Sequence, residues 1–287
     1  MNKLLPLRVR SNFKICCVIT LLGILIFGNH LHNAFQFDSV LYIKNSVKIQ
    51  NPEKIINWKF IINEYESRSL TQVSIATNAL LDKINPFGYH LFNLIIHTLN
   101  TILIFFITLE IFKIFRLKDS PDNHTKASFA GFLTSVGFLC HPLQTESVVY
   151  IVSRSELLAA TLYLMGFLAF QKFLSKQQYK KPLALLKITF LILILLITGF
   201  GFKQSIVTLP ATIALYWLCT LPIDSKIIRL FQRFRWLIFS FATTTLVLLM
   251  WKLLTDESFL IGPSTAGKAI GRLNYILSQP SVIIYYY

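Results

Sequence analysis

The chain has 287 residues, 54% of them hydrophobic and 14% charged, with a mean hydropathy of +0.58. That is too apolar for a chain that must cover a water-exposed surface with polar groups, so an ordinary soluble domain is excluded and the bilayer is the expected solvent. The formal net charge of +15 would suit a nucleic-acid binder, but most basic residues fall between apolar runs instead of on a water-facing patch, so they read as topology signals and no nucleic-acid partner is expected.

About 30 Å of hydrocarbon takes roughly 20 helical residues to cross. Runs that meet or approach this recur at residues 13–30, 90–115, 127–140, 157–173, 183–201, 205–221 and 236–254. The third is short and ends at His141-Pro142, so it is expected to leave the hydrocarbon early or to be completed by the helix that follows. A last apolar run starts near Ile276 and stops at Tyr287, short of a full crossing, so the chain reads as a single membrane domain over 1–287 cut off at its carboxy terminus. The expected fold is an all-α integral membrane protein, a multi-pass bundle of about seven to eight spans with a long first outer loop at residues 31–89.

Orientation follows from the lysines and arginines of the short loops. Lys3, Arg8, Arg10 and Lys14 lie at the first span, Lys113, Arg116, Lys118 and Lys126 around the next basic connection, and further sets follow the fourth and sixth spans. The alternate connections hold most of the acids, among them Asp38, Glu146, Glu156 and Asp256. The amino terminus is therefore expected on the cytoplasmic side. A bacterial inner membrane is expected in preference to the endoplasmic reticulum. Asn29-His30-Leu31-His32 offers no small-x-small cleavage site after the first span, which reads as a retained anchor.

Within the outer loop, Trp58, Phe60, Ile61 and Ile62 suit a short interfacial helix. Cys16, Cys17, Cys140 and Cys219 sit in or at the ends of apolar spans and serve as small apolar residues. Asn123-His124-Thr125 fits a glycosylation sequon, but on the cytoplasmic side. No glycine-rich phosphate loop, tandem repeat or metal-spaced Cys/His cluster occurs, and neither a metal nor a cofactor is expected.

Two polar stripes interrupt the apolar pattern. His90, Asn93, His97, Asn100 and Thr101 share one helical face, and Glu146, Tyr150 and Arg154 recur every four residues with Ser153 beside them. Such faces are expensive in lipid and should turn to the bundle interior or a wet cavity. Asn93, Asn100 and Thr101 read as interhelical hydrogen-bonding groups, and His90, His97 and His141 as satisfied interior histidines. Glu146 and Arg154 fit a functional site and a structural ion pair equally well. Lys203, between the fifth and sixth spans, can bind an anionic head group or simply snorkel. Asp38, by spacing alone, is a lone acid of the kind usually solvated.

Four strings taken together resemble the membrane half of the transmembrane and tetratricopeptide-repeat proteins, relatives of the protein O-mannosyltransferases. They are Phe37-Asp38 with Tyr42-Ile43 and Asn45; Pro86-Phe87-Gly88-Tyr89-His90 with Asn93 and His97; His141-Pro142-Leu143-Gln144-Thr145-Glu146 with Tyr150, Ser153, Arg154 and Glu156; and Lys203 with Thr208-Leu209-Pro210. The segment from Asn274 to Pro280 is similar too, so the likeness covers nearly the whole chain. The third string is the most specific.

The resemblance implies a multi-helix membrane glycosyltransferase that takes a sugar from a polyprenyl-phosphate lipid, its membrane partner, and passes it to a protein hydroxyl or another acceptor. It makes Asp38 the general base, Arg154 and Lys203 the ligands of the donor phosphate, and Glu146, His90 and His141 supporting residues. The chain departs from the family pattern at Ser39, where a second acid is usual, at Gln204, where glutamate is usual, and at Ser69, where proline is usual. Those departures and the early end also suit a non-catalytic membrane scaffold or the remnant of a longer repeat protein. A transporter would call for inverted repeats, and none is visible.

Overall fold

The computed structural model describes residues 5–46, 49, 51, 52, 59, 68–114, 121–176, 181–220 and 278. The expected span at 236–254, the run after Ile276 and the interfacial residues Trp58 and 60–62 lie outside them. Among the described residues there is no strand, and the chain is an all-α integral membrane protein. Within the described residues eight helices follow in order: α1 Leu5–Phe27, α2 Ser69–Asp82, α3 Pro86–Ile114, α4 Pro121–Leu139, α5 Gln144–Val149, α6 Arg154–Ser175, α7 Pro182–Phe200 and α8 Leu209–Thr220. Tight turns join them at Gly28–His30, Ile151–Ser153 and Gln204–Thr208, and a single π-turn at Val40–Lys44 lies in the outer loop.

Among the described residues four segments are long and apolar enough to cross a membrane: Ser11–His30, Pro86–Ile114, Ile151–Ser175 and Pro182–Phe200. They match the first, second, fourth and fifth expected spans. The second and fourth begin earlier than apolarity alone suggested. Pro86 opens α3 because its missing N–H is one that a first helical turn leaves unpaired anyway. The fourth is extended backward by the Ile151–Ser153 turn. The third expected span is a 19-residue helix, but Asp122, His124 and Lys126 in its first two turns keep it below spanning hydropathy. It does stop ahead of His141-Pro142, as the sequence indicated. The sixth is the shorter apolar stretch Gln204–Thr220.

Helix α3 is central. It packs along α6 and α4 and also meets α1. Ile19, Phe105, Leu109 and Ala127 form one apolar cluster, and Phe27, Leu94, Leu139 and Val148 form another. A third, of Ile43, Ile75, Ala76, Tyr89 and Ile151, lies under the outer loop and docks α2 onto the bundle. The stripe expected on α3 is real: His90, Asn93, His97, Asn100 and Thr101 are all buried. Asn93 donates to Val148 O at 3.3 Å and Asn100 to Leu157 O at 3.1 Å, while the Thr101 hydroxyl returns to His97 O on its own helix at 2.9 Å. The amides therefore join helices where lipid offers no alternative partner.

The strongest polar junction is at Arg154, which is fully buried. Its Nε donates to Asn93 Oδ1 at 3.0 Å, Nη1 to Ser74 O at 3.0 Å and to Asn78 Oδ1, and Nη2 to Tyr89 O at 3.2 Å. The guanidinium also lies 4.4 Å from the Phe92 ring centre. One side chain thus ties α2, α3 and α6 together with donors pointing in three directions. A lysine ammonium cannot reproduce that planar fork. Arg154→Lys should therefore cost about 3 kcal/mol of stability, because several buried acceptors lose their donor. Thermal unfolding of the detergent-solubilised protein measures it, and an unchanged midpoint would contradict the assignment.

Candidate functional site

The expected helical face Glu146–Tyr150–Arg154 does not exist as one face. Helix α5 ends at Val149, and Tyr150 is extended at φ −82°, ψ 106° before the chain turns into α6. The physical cause is local. The Tyr150 N–H still bonds Glu146 O at 3.1 Å, but its ψ rotates the following residues away. Arg154 consequently points into the helix packing, while Glu146 stays exposed at the outer surface. The two form no ion pair.

The break opens a cavity of about 540 Å³ between the 140–151 segment and the first outer loop. Asn33, Gln36, Phe37, Asp38 and Ser39 line one wall, Thr145, Glu146, Val149, Tyr150 and Ile151 the other, and His90 the floor. The volume lies within the usual range for small-ligand sites. Its polar lining is rich in acceptors, with two carboxylates, an imidazole and side-chain carbonyls. Groups that donate hydrogen bonds, hydroxyls above all, are the complementary ligand chemistry.

Three of the sequence-predicted site residues meet here: Asp38, Glu146 and His90. His90 Nε2 faces Asn33 O at 3.1 Å, and since a carbonyl can only accept, that nitrogen carries the proton. The Asp38 carboxylate engages the Tyr150 hydroxyl, whose pKa is pushed up from 10 first by burial and then by the hydrogen bond and charge of Asp38. His141 stands apart, exposed at the turn, where its Nδ1 accepts the Leu143 N–H at 3.3 Å. Arg154 does not line the cavity, and four of its N–H···acceptor bonds are already made.

Lys203 belongs to a neighbouring charged group. Its ammonium pairs with Glu156, and it feels Arg68 and Glu146. Burial and then the Arg68 charge push its pKa down, with Glu146 pulling the other way. The turn that carries Lys203 is held by α2. Leu70 N–H donates to Gly201 O at 3.2 Å and the Thr71 hydroxyl to Phe202 O at 3.3 Å. Gly199 lets this turn fold close, because a Cβ there would come within 2.0 Å of Ile206 Cδ1. Glu146 therefore sits at the junction of the two regions, lining the cavity and acting on Lys203.

Sequence reasoning assigned no site role to Asn78, Glu156 or Arg68, and it noted Tyr150 without assigning it a role. Tyr150 carried a signal, its place in the most specific string. Glu156 stood in the same string, but nothing local pointed to Lys203 as its partner, and Asn78 carried no signal, since its partner is distant in the chain.

About half of the chain is similar to known proteins. Protein O-mannosyl-transferase TMTC1 of Mus musculus is 27% identical over 164 residues, 53% of this chain and 16% of that protein. Protein O-mannosyl-transferase TMTC3 of Homo sapiens is 30% identical over 156 residues, 51% of this chain and 16% of that protein. The family resemblance stands. Protein O-mannosyl-transferase Tmtc3 of Drosophila melanogaster is similar as well, 27% identical over 191 residues, 58% of this chain and 20% of that protein. The chain thus spans 16% to 20% of the length of these TMTC relatives. All three are animal proteins, which gives the expected bacterial membrane no support. No family model and no solved structure matches the chain.

Because Glu146 opposes the downward shift of Lys203, Glu146→Gln should lower that pKa further and leave more free amine at mildly alkaline pH. Amine-directed acylation read by mass spectrometry should then label Lys203 faster than in the native chain. Equal labelling across the titration would show that the two groups are not coupled.

Proposed function

We propose that this membrane protein is a glycosyltransferase, moving a sugar from a polyprenyl-phosphate donor to a hydroxyl acceptor at its outer face. The observation that carries the reading is the placing of Asp38 in an acceptor-lined cavity with Glu146, whose charge also acts on Lys203, itself under the charge of Arg68. The printed names of the relatives support the sugar-transfer class.

In this reading the acceptor hydroxyl lies against Asp38. Its oxygen attacks the sugar carbon, the proton passes to the carboxylate, and the bond from that carbon to the donor phosphate breaks. The leaving phosphate is repelled by the cavity acids, so it belongs at the Lys203 end, where two cations can offset its charge. Lys203 is engaged by Glu156 in the absence of donor, and a phosphate would compete for it. Arg154 serves from behind. It fixes α2, whose first turn holds the Lys203 turn, and through Asn93 it holds the α5 wall of the cavity. A phosphate reaching Arg154 directly would have to displace partners already bound. The amino terminus lies on the cytoplasmic side, opposite the cavity.

A second reading, a non-catalytic scaffold, draws on the buried Ser39, whose hydroxyl faces the cavity region with no hydrogen-bond partner where the family carries an acid. Transfer of labelled mannose from a synthetic polyprenyl-phosphate by the purified protein in lipid nanodiscs separates the two. Asp38→Asn should lower kcat by about a hundredfold or more, as removal of a general base does. Lys203→Met should chiefly raise the KM for the donor. Transfer that is indifferent to Asp38→Asn removes the base from this scheme, and no transfer by the native chain favours the scaffold.

A further inference from the structure

Tyr150 lines the cavity yet has no part in the reaction as written. Its phenol shares the cavity lining with Asp38, whose carboxylate acts on it as a hydrogen-bond and charge partner. Its ring also meets the Phe37 ring edge-on, with centroids 6.4 Å apart at 82°. Phe37 sits at φ 48°, in the left-handed region that a side chain bearing a Cβ enters at a cost. Two consecutive turns close around Asp38, Ser39 N–H to Gln36 O and Val40 N–H to Phe37 O, each at 3.0 Å. A strained turn of this kind persists when its surroundings hold it, and Tyr150 is the side chain pressed against it. Tyr150 is in turn fixed by the end of α5, through its N–H to Glu146 O.

We propose that Tyr150 is the positioning residue of Asp38. This rests on the reading of Asp38 as the base. The phenol occupies one lone-pair direction of the carboxylate and fixes its rotamer, leaving the remaining lone pairs toward the cavity for the acceptor hydroxyl. The phenol proton stays on Tyr150 throughout, and the proton taken from the acceptor goes to Asp38. Its raised pKa keeps Tyr150 a donor through the physiological range. The partnership is not visible as a helical spacing, because the two residues come from segments more than a hundred positions apart.

Two measurements on the chain in nanodiscs test this. In the first, tyrosine labelled with carbon-13 at Cζ is titrated by NMR, with the Tyr150 resonance assigned from Tyr150→Phe. Its midpoint should lie above the ordinary phenol value and move down in Asp38→Asn. A midpoint unmoved by Asp38→Asn overturns the proposal. In the second, Tyr150→Phe should lower kcat for sugar transfer by about tenfold, the equivalent of one hydrogen bond, with the donor KM unchanged. The double variant should be no slower than Asp38→Asn alone, since the phenol acts through the carboxylate. Full activity in Tyr150→Phe, or additive losses in the double variant, overturns the proposal while leaving the base in place. Activity that survives Asp38→Asn instead overturns the reading of Asp38, whatever the titration shows. In a chain without measurable transfer, the titration alone decides.

Discussion

A guanidinium sealed among helices in a membrane protein must find its hydrogen-bond partners inside the bundle, because lipid supplies none. Arg154 finds them in two backbone carbonyls and two asparagine oxygens, with an aromatic face alongside. Its charge is stabilised by oriented dipoles instead of an acid. That solution demands that α2, α3 and α6 arrive in one arrangement, since a shift of any of them would strand a buried charge. The outer half of the molecule is built to meet this constraint.

Two paths lead from Arg154 to the surface. One passes through Ser74 and Asn78 into α2, whose first turn receives the carbonyls of Gly201 and Phe202 and so sets the height of Lys203. The other passes through Asn93, which accepts from Arg154 on its oxygen and donates to Val148 O from its nitrogen. That second amide bond pins the short α5, and α5 supplies the wall bearing Glu146 and Tyr150. Cavity and cationic group thus share one anchor without sharing a residue with it. An arginine can govern a charged site from the far side of a helix packing, and its presence in a family motif does not by itself tell contact from support.

The surface that results is divided by charge. The cavity gathers carboxylates and hydroxyl acceptors, and Lys203 with Arg68 lies beside it, with Glu146 at the boundary and Glu156 occupying the ammonium. Such a division suits a ligand with a hydroxyl-bearing part and an anionic part. It also limits the cationic side, since an anion must compete with Glu156 for the ammonium, although a half-buried ammonium gives up less hydration than one fully hydrated.

Much of this was legible in the sequence. Hydropathy and length found the four described helices that can cross a membrane, because a span must be continuous and apolar to cross hydrocarbon, and the three- and four-residue spacing of the α3 stripe found the face that turns inward. His141-Pro142 marked the end of α4 because proline forbids continuation. What periodicity misjudged was the segment after it. A spacing of four between Glu146, Tyr150 and Arg154 promises one face only while the helix continues, and the ψ of Tyr150 interrupts it. The sequence by itself thus determined that the chain lives in a membrane, where its four described membrane-crossing helices fall and which residue types are too polar to face lipid. Which of those polar groups faces a cavity and which is consumed in packing was decided by tertiary structure alone, because the deciding partners, Asn78 for Arg154, Glu156 for Lys203 and Asp38 for Tyr150, lie tens of residues away where no local pattern reaches.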